Sequence, residues 1–219
     1  MAAIPLEDEI YYPDSDGEPL AETQLHFEEI VYLVEALQER FRDTPDVFVA
    51  GDLLFYYQKG RPSAVVAPDV FVVRGLSKEL RRKYLLWEEQ KVPCFVAEVT
   101  SDSTRRRDLS LKKDLYQDLG VQEYFLFDPY GEHLKPSLQG FRLVEGRYRP
   151  ARPDSDGSLV SVTTGLSFRA DGNRLRLKDA ATGTPLLRRE EVTDVMRRQS
   201  EEIRAMGEEL TRLRRELGR

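Results

Sequence analysis

The sequence has one cysteine, Cys94, among 219 residues, which excludes an intramolecular disulfide. Residues 1–8 lack the basic and long apolar regions of a secretory signal peptide. No stretch approaches the roughly 18 consecutive apolar residues that a membrane-spanning helix needs. Basic residues are outnumbered 33 to 39 by acidic ones, and a net charge of -6 excludes a broad basic surface. These absences predict a cytoplasmic protein whose contacts with polyanions are local.

The chain is long enough to bury a substantial core, because 40% of its residues are hydrophobic. Its length predicts one domain, or one domain with an appendage. The apolar pattern changes near residue 188, where a heptad repeat begins. We therefore predict a folded domain over residues 1–187 and a helical segment over residues 188–219.

Periodicity within the first segment predicts an α/β core. Apolar residues at helical spacing indicate a helix over residues 21–41. Runs rich in β-branched and aromatic residues then predict a meander of three strands, at residues 47–49, 53–57 and 65–73. A helix over residues 104–119, ended by Gly120, should join two parallel strands at residues 94–100 and 123–129. Short alternating runs over residues 133–187 indicate hairpins.

Two of the predicted strands each carry one carboxylate within an apolar run, Asp69 in the first and Glu98 in the second. Burying a carboxylate without a partner costs several kcal/mol. Two of them in adjacent core strands therefore require a shared cation. A divalent metal held by carboxylate oxygens satisfies this requirement.

A lysine interrupts the apolar face of the helix that follows. On a helical wheel, Lys112 falls inside the arc of apolar residues and Lys113 lies at its edge; the arc comprises Leu111, Leu115, Tyr116 and Leu119. A lysine facing the core needs a buried anion or a functional reason. Asp108, four residues earlier, could be a simple salt-bridge partner. The alternative is a catalytic cation.

The first predicted helix places a histidine on its apolar face. His26 is flanked on the helical wheel by Glu22 and Glu29. Histidines in such positions are usually satisfied core residues. The acidic neighbours leave open a role in contacting a metal or one of its ligands.

The compact basic run Arg105, Arg106 and Arg107 follows the Glu98 strand. Three arginines at the start of a helix often form a solvated surface. Their position beside the second carboxylate makes a contact with a phosphate backbone the competing interpretation.

The C-terminal segment carries a heptad seam with one polar member. Its positions are separated by alternating steps of four and three residues: Val192, Met196, Gln199, Ile203, Met206, Leu210, Leu213 and Leu217. Nine arginines and eight carboxylates fill residues 188–219, as on the flanks of a coiled coil. We expect this helix to pair with its copy in a homodimer, or else to fold back on its own domain.

Together, these residues resemble the Uma family of putative restriction endonucleases, within the PD-(D/E)XK nuclease superfamily. The resemblance covers about residues 12–187. It rests first on the ordered set Pro68, Asp69, Glu98, Val99, Thr100, Ser101, Ser103, Thr104, Asp108, Lys112, Tyr116, Gly120, Val121, Glu123, Tyr124, Asp128 and Pro129. The N-terminal part of this range also resembles the family, through Asp16, Gly17, Glu18, Pro19, Ala21, Glu22, Thr23 and His26.

The resemblance implies a restriction-endonuclease-like core, with a mixed central sheet flanked by helices. The heptad pattern adds a C-terminal coiled-coil helix to that core. It implies that Asp69, Glu98 and the Val99 carbonyl bind Mg²⁺ or Mn²⁺. Thr100 stands where the family pattern usually has lysine, so Lys112 would supply the lysine from the next helix. Candidates for supporting contacts around this site are Glu22, His26, Thr100 and Asp108.

Three functions follow from these patterns. The leading one is a metal-dependent endonuclease that hydrolyses phosphodiester bonds of DNA, with Asp69, Glu98 and Lys112 as catalytic residues. The second is a nucleic-acid-binding protein that keeps the fold without cleavage. The third is an interaction module that acts through the coiled coil.

Overall fold

The computed structural model describes residues 10–15, 17, 21, 23–101 and 107–218. The chain divides into two compact units, residues 1–185 and residues 186–219. The first unit has an α/β architecture with a mixed central sheet and flanking helices, which confirms the predicted fold class.

The first half of this unit contains a long helix and short strands. Their bounds are α1 (Gln24–Arg40), β1 (Val47–Gly51), β2 (Phe55–Tyr56), β3 (Val65–Val66), β4 (Val70–Arg74), β5 (Tyr84–Leu85), α2 (Leu86–Glu89) and β6 (Phe95–Val99). A π-helical stretch (Arg107–Lys112) then runs directly into α3 (Lys113–Leu119). Gly120 ends α3 with φ of 87°, in the left-handed conformation that was predicted for it.

Strands dominate the rest of the chain before the last helix. They are β7 (Glu123–Phe127), β8 (Leu138–Val144), β9 (Arg147–Pro150), β10 (Leu159–Val160), β11 (Leu166–Asp171), β12 (Arg174–Asp179) and β13 (Pro185–Leu186). The β8–β9 and β11–β12 pairs are the predicted hairpins. The final helix is α4 (Arg189–Glu216).

The central sheet has the strand order β1-β4-β6-β7-β8-β9. β6 and β7 are parallel, as the crossover through α3 requires, and the other neighbours are antiparallel. A second sheet has the order β10-β11-β12-β13, and a small third sheet the order β3-β2-β5. Both faces of β6 and β7 are covered, so all ten of their residues are buried.

The predicted three-strand meander is wrong. Residues 65–73 split into β3 and β4, which belong to different sheets, and β1 pairs with β4 rather than with β2. The split falls at Ala67, Pro68 and Asp69. Pro68 has no N–H to donate to a neighbouring strand, so the ladder breaks there. Asp69 consequently lies in the connection just before β4, not inside a strand.

A buried carboxylate joins the central sheet to the loop before β11. The Glu123 side chain accepts hydrogen bonds from Arg142 Nε (3.0 Å), Ser161 Oγ (2.5 Å), Val162 N (3.0 Å), Thr163 N (2.9 Å) and Thr163 Oγ1 (2.6 Å). Burial raises the pKa of Glu123, but these hydrogen bonds outweigh it and hold the pKa below its ordinary value. Glu123 therefore serves the fold as an ionised anchor.

The second unit is described by α4, which has no buried residue. Its predicted seam residues are exposed, from Val192 at 41% to Leu217 at 76%. Within the part of the chain that the structure describes, no helix has the length and apolar character to cross a bilayer.

Candidate active site

Strand pairing places two acidic residues side by side. Val70 of β4 is opposite Ala97 of β6 in an antiparallel register. Asp69 directly precedes Val70 and Glu98 directly follows Ala97, so both lie at the same end of the sheet. The Asp69 N–H donates to Glu98 Oε2 over 3.3 Å, and the Val99 N–H donates to Asp69 Oδ2 over 2.7 Å. The structure thus brings Asp69 and Glu98 together.

The end of β1 holds the Asp69 connection in place. The Asp52 N–H lies 3.1 Å from Pro68 O and 3.2 Å from Asp69 O. A Cβ at Gly51 would lie 3.2 Å from Asp69 O and 2.7 Å from Val34 Cγ2. Glycine at position 51 therefore permits the close approach of three chain segments that positions Asp69.

Glu98 is almost completely buried, with 1% of its surface exposed. Its Oε2 accepts a hydrogen bond from Lys112 Nζ over 2.8 Å, and its Oε1 accepts one from the Tyr116 hydroxyl over 2.8 Å. The ammonium group compensates the buried negative charge, and the two hydrogen bonds fix the carboxylate plane. The helical segment after β6 supplies both partners.

Lys112 is buried as the helical wheel predicted, with 7% of its surface exposed. It also donates to Ala67 O over 3.3 Å. Leu111, however, is 69% exposed, so its predicted place on the apolar face is wrong. The wheel assumed α-helical rotation, whereas residues 107–112 are π-helical and turn less per residue.

Tyr116 contacts the site but was not among the predicted site residues. Burial, with the negative charge of Glu98 adding to it, raises the pKa of the Tyr116 phenol well above its ordinary value. The phenol therefore stays protonated and donates to Glu98. The i+4 spacing from Lys112 was the available signal, because it places both residues on one helix face.

His26 reaches the site from the first turn of α1. The His26 N–H donates to Thr23 Oγ1 over 3.1 Å at the helix N-cap. The imidazole is 5% exposed, and its Nε2 lies 3.6 Å from Asp69 Oδ2. Glu29, predicted beside it, is buried and accepts the Leu175 N–H from β12 over 2.8 Å. That contact ties α1 to the second sheet.

Val99 and Thr100 continue β6 beyond Glu98. The Val99 N–H binds Asp69, as described above, and the Thr100 N–H donates to Phe127 O over 2.7 Å. Thr100 is 2% exposed, and its Oγ1 has no hydrogen-bond partner among the described residues. A hydroxyl buried without a partner costs about 1–3 kcal/mol, so its presence two residues after Glu98 calls for a reason.

Five candidate residues lie wholly or partly outside the described residues. These are Glu22, Arg105 and Arg106, together with the side chains of Arg107 and Asp108. Their predicted contacts remain predictions.

The donors at the site suit a hard divalent cation, because Asp69 and Glu98 offer carboxylate oxygens. Among the described residues, no group of three or more histidine, cysteine or acidic side chains is arranged to hold a metal. A cation here would therefore rely on two carboxylates, backbone oxygen and water. Mg²⁺ is commonly bound by so few protein ligands.

Comparison with known proteins agrees with the sequence resemblance. The Uma2 family model, described as a putative restriction endonuclease, matches residues 2–173. The chain is also similar to the crystal structure of a putative nuclease belonging to DUF820 from Anabaena variabilis ATCC 29413, with 12% sequence identity and a TM-score of 0.48. That similarity covers 73% of this chain and 80% of the other. No curated protein matches the sequence.

Proposed function

Because the chain belongs to the Uma2 family of putative restriction endonucleases, we propose that it is a metal-dependent endonuclease that hydrolyses phosphodiester bonds of DNA. The observation that carries this proposal is the cluster of Asp69, Glu98 and Lys112, in which Glu98 and Lys112 are buried and Asp69 is partly buried. Glu98 lies next to Asp69 and 2.8 Å from the Lys112 ammonium. Two carboxylates and one cation are the groups that metal-assisted phosphodiester hydrolysis requires.

Asp69 and Glu98, with the Val99 carbonyl, would hold Mg²⁺ or Mn²⁺. When bound, the ion would activate water and neutralise charge on the phosphate. The Val99 N–H and the Asp69 N–H keep the two carboxylates oriented, since each donates to the neighbouring acid. The residues are therefore fixed before a substrate arrives.

Lys112 carries the positive charge that would stabilise the phosphate during hydrolysis. Its burial and its hydrogen bonds to Glu98 and Ala67 hold the ammonium at the carboxylate pair. Tyr116 positions Glu98, and His26 lies within 3.6 Å of Asp69, where it would orient that ligand. Thr100 is the further candidate for a contact with the bound ion's water.

DNA is the proposed substrate, with Arg105, Arg106 and Arg107 contacting its backbone. The protein is acidic overall, with a charge of -6, so binding would depend on this local positive charge. We further propose that two chains dimerise through the seam of α4 and act in the cytoplasm. A dimer carries two sites, which suits cleavage of both strands of a duplex.

Two observations favour a second function, a nucleic-acid-binding protein without cleavage. Both Glu98 oxygens already accept hydrogen bonds from protein side chains, and threonine stands at position 100 where a catalytic lysine is usual. Binding without hydrolysis would then be the activity of the family fold in this chain.

Plasmid nicking tests the proposal. Purified protein should convert supercoiled DNA to nicked circles with Mg²⁺ or Mn²⁺ but not with EDTA. Asp69→Asn and Glu98→Gln should abolish nicking and lower Mn²⁺ affinity in calorimetry, whereas Asp114→Asn, at an exposed position of α3, should alter neither. DNA binding with no nicking in either metal would support the second function and refute the first.

A further inference from the structure

The α4 helix presents an apolar stripe with one polar member, here called the seam. Its eight positions are Val192, Met196, Gln199, Ile203, Met206, Leu210, Leu213 and Leu217. The seven apolar members are between 41% and 76% exposed. Twenty-five residue steps at 1.5 Å each give the seam a length of about 38 Å. A single helix of this kind needs a partner to remove the seam from water.

We infer that the seam binds the seam of a second copy in a parallel, in-register coiled coil. The inference deepens the dimer of the proposed function by specifying how the two chains are oriented. It is carried by the charged residues that border the seam, because residues at these flanking positions determine which orientation is attractive.

The heptad assigns each flanking residue a position. Val192, Gln199, Met206 and Leu213 occupy d, and the other seam members occupy a. The g positions on one side are then Val195, Glu202, Glu209 and Glu216. The e positions on the other side are Thr193, Ser200, Gly207 and Arg214. One flank is therefore acidic in three of four heptads, and the other has a single charge, which is positive.

In a parallel coil, each g residue faces the e residue five positions later in the partner. Glu209 then faces Arg214 of the second copy, and symmetry gives this attractive pair twice. Glu202 faces Gly207, which brings no opposing charge. Gln199 of one chain faces Gln199 of the other. The two amides at this one polar core position can therefore donate hydrogen bonds to each other and accept them.

An antiparallel coil of the same length is unfavourable. Full overlap brings Val192 opposite Leu217, and the g positions then face each other across the interface. Glu202 would meet Glu209 of the second copy twice, which places like charges together. Gln199 would be buried against Leu210, where its amide has no polar partner. Both penalties vanish in the parallel arrangement.

The orientation of the two α4 helices determines at which end of the coil each copy of residues 1–185 is attached. Residues 1–185 precede α4 in the chain, so a parallel coil carries both copies of that unit at the same end. In an antiparallel coil the two α4 N-termini would instead lie at opposite ends of the coil, about 38 Å apart. The parallel arrangement therefore joins both copies of that unit through neighbouring α4 N-termini.

Disulfide trapping in the full-length chain tests the orientation, since the native Cys94 is buried. Leu217→Cys should form a covalent dimer, of twice the 25.3 kDa chain mass, in a glutathione buffer. Arg215→Cys, on the outer side of the helix, is the matched control and should stay monomeric on a non-reducing gel.

A mixture of Val192→Cys and Leu217→Cys chains should yield no mixed dimer. A dominant mixed dimer would establish the antiparallel coil, and an uncrosslinked Leu217→Cys would overturn the pairing.

Charge reversal gives an independent readout that does not depend on nuclease activity. Glu209→Arg faces Arg214 in the parallel coil and should raise the dimer dissociation constant roughly three- to thirtyfold in sedimentation equilibrium. In an antiparallel coil the same change would face Glu202 and tighten the dimer. Glu208→Arg, on the outer face, controls for the helix itself, and Glu209→Arg with Arg214→Glu should restore the affinity. Tighter association of Glu209→Arg would refute the inference.

Discussion

Lys112 and Glu98 form a buried ion pair with 2.8 Å between Nζ and Oε2, although 14 residues and a change of element separate them. The side chains are 9% and 0% exposed, so water screens their charges weakly. Removing one member of such a pair leaves the other charge buried without compensation. Any test of Lys112 in catalysis must therefore separate loss of activity from loss of folding.

Lys112→Met keeps the length of the side chain and removes its charge. We expect the variant to lose about 3–5 kcal/mol of unfolding free energy, because Glu98 loses its cation. Nicking per folded molecule should fall about 10²- to 10³-fold, since the phosphate loses its stabilising charge. Denaturant unfolding and a nicking assay measure the two effects separately.

The double variant Lys112→Met with Glu98→Gln should recover much of that stability without recovering activity. Lys113→Met is the matched control, since Lys113 Nζ lies 3.7 Å from the centroid of the Phe141 ring and not at the carboxylates. Full activity in folded Lys112→Met would contradict a catalytic role for this lysine.

Tyr116→Phe tests whether the phenol positions Glu98. The change removes one hydrogen bond to a carboxylate and leaves the ring packed against Tyr124, so stability should fall by about 1–3 kcal/mol. Loss of a residue that orients a metal ligand should weaken Mn²⁺ affinity about 10- to 100-fold. Calorimetric titration measures the affinity.

Tyr148→Phe provides the comparison, because the Tyr148 hydroxyl donates to Val121 O, a carbonyl outside the carboxylate site. That variant should lose stability with unchanged Mn²⁺ affinity. Equal Mn²⁺ affinity in both variants would show that Tyr116 serves the fold alone.

Thr100→Val removes a buried hydroxyl while keeping the shape of the side chain. Since Oγ1 has no hydrogen-bond partner among the described residues, we expect the thermal midpoint to stay equal or rise. If the hydroxyl contacts the bound ion's water, nicking should fall several-fold at saturating Mg²⁺. A lowered midpoint in thermal unfolding would reveal that this hydroxyl already contributes to the fold.

Glu123→Gln should produce a pH-dependent loss of stability. The pKa of Glu123 is lower in the folded chain than its ordinary value of 4.5, so its ionised form stabilises the fold above that pH. Above about pH 5 the variant should be less stable by about 2–4 kcal/mol. The difference should shrink as the pH falls through the folded-state pKa and Glu123 becomes protonated.

Urea unfolding across this pH range measures the difference. Glu132→Gln, at an exposed position, should show no such dependence. A constant difference between wild type and Glu123→Gln down to about pH 3 would mean that the carboxylate charge is not the stabilising element.

The local features of this protein follow from its amino-acid sequence alone. Periodicity identified α1, the parallel strands β6 and β7, the end of α3 at Gly120 and the seam of α4. Each of these features depends on residues a few positions apart. The sequence also marked Asp69, Glu98 and Lys112 as polar residues in apolar surroundings, whose burial demands a partner.

The partners of these three residues depend on how the whole chain packs. The antiparallel register of β4 with β6 and the hydrogen bonds from Lys112 and Tyr116 to Glu98 join residues that are distant in sequence. The split of the predicted strand at Pro68 likewise depends on which sheet each half joins. Local patterns specify which face of an element is buried, whereas strand order and register follow from packing the whole chain. The carboxylate site therefore forms from contacts between elements that are distant in sequence.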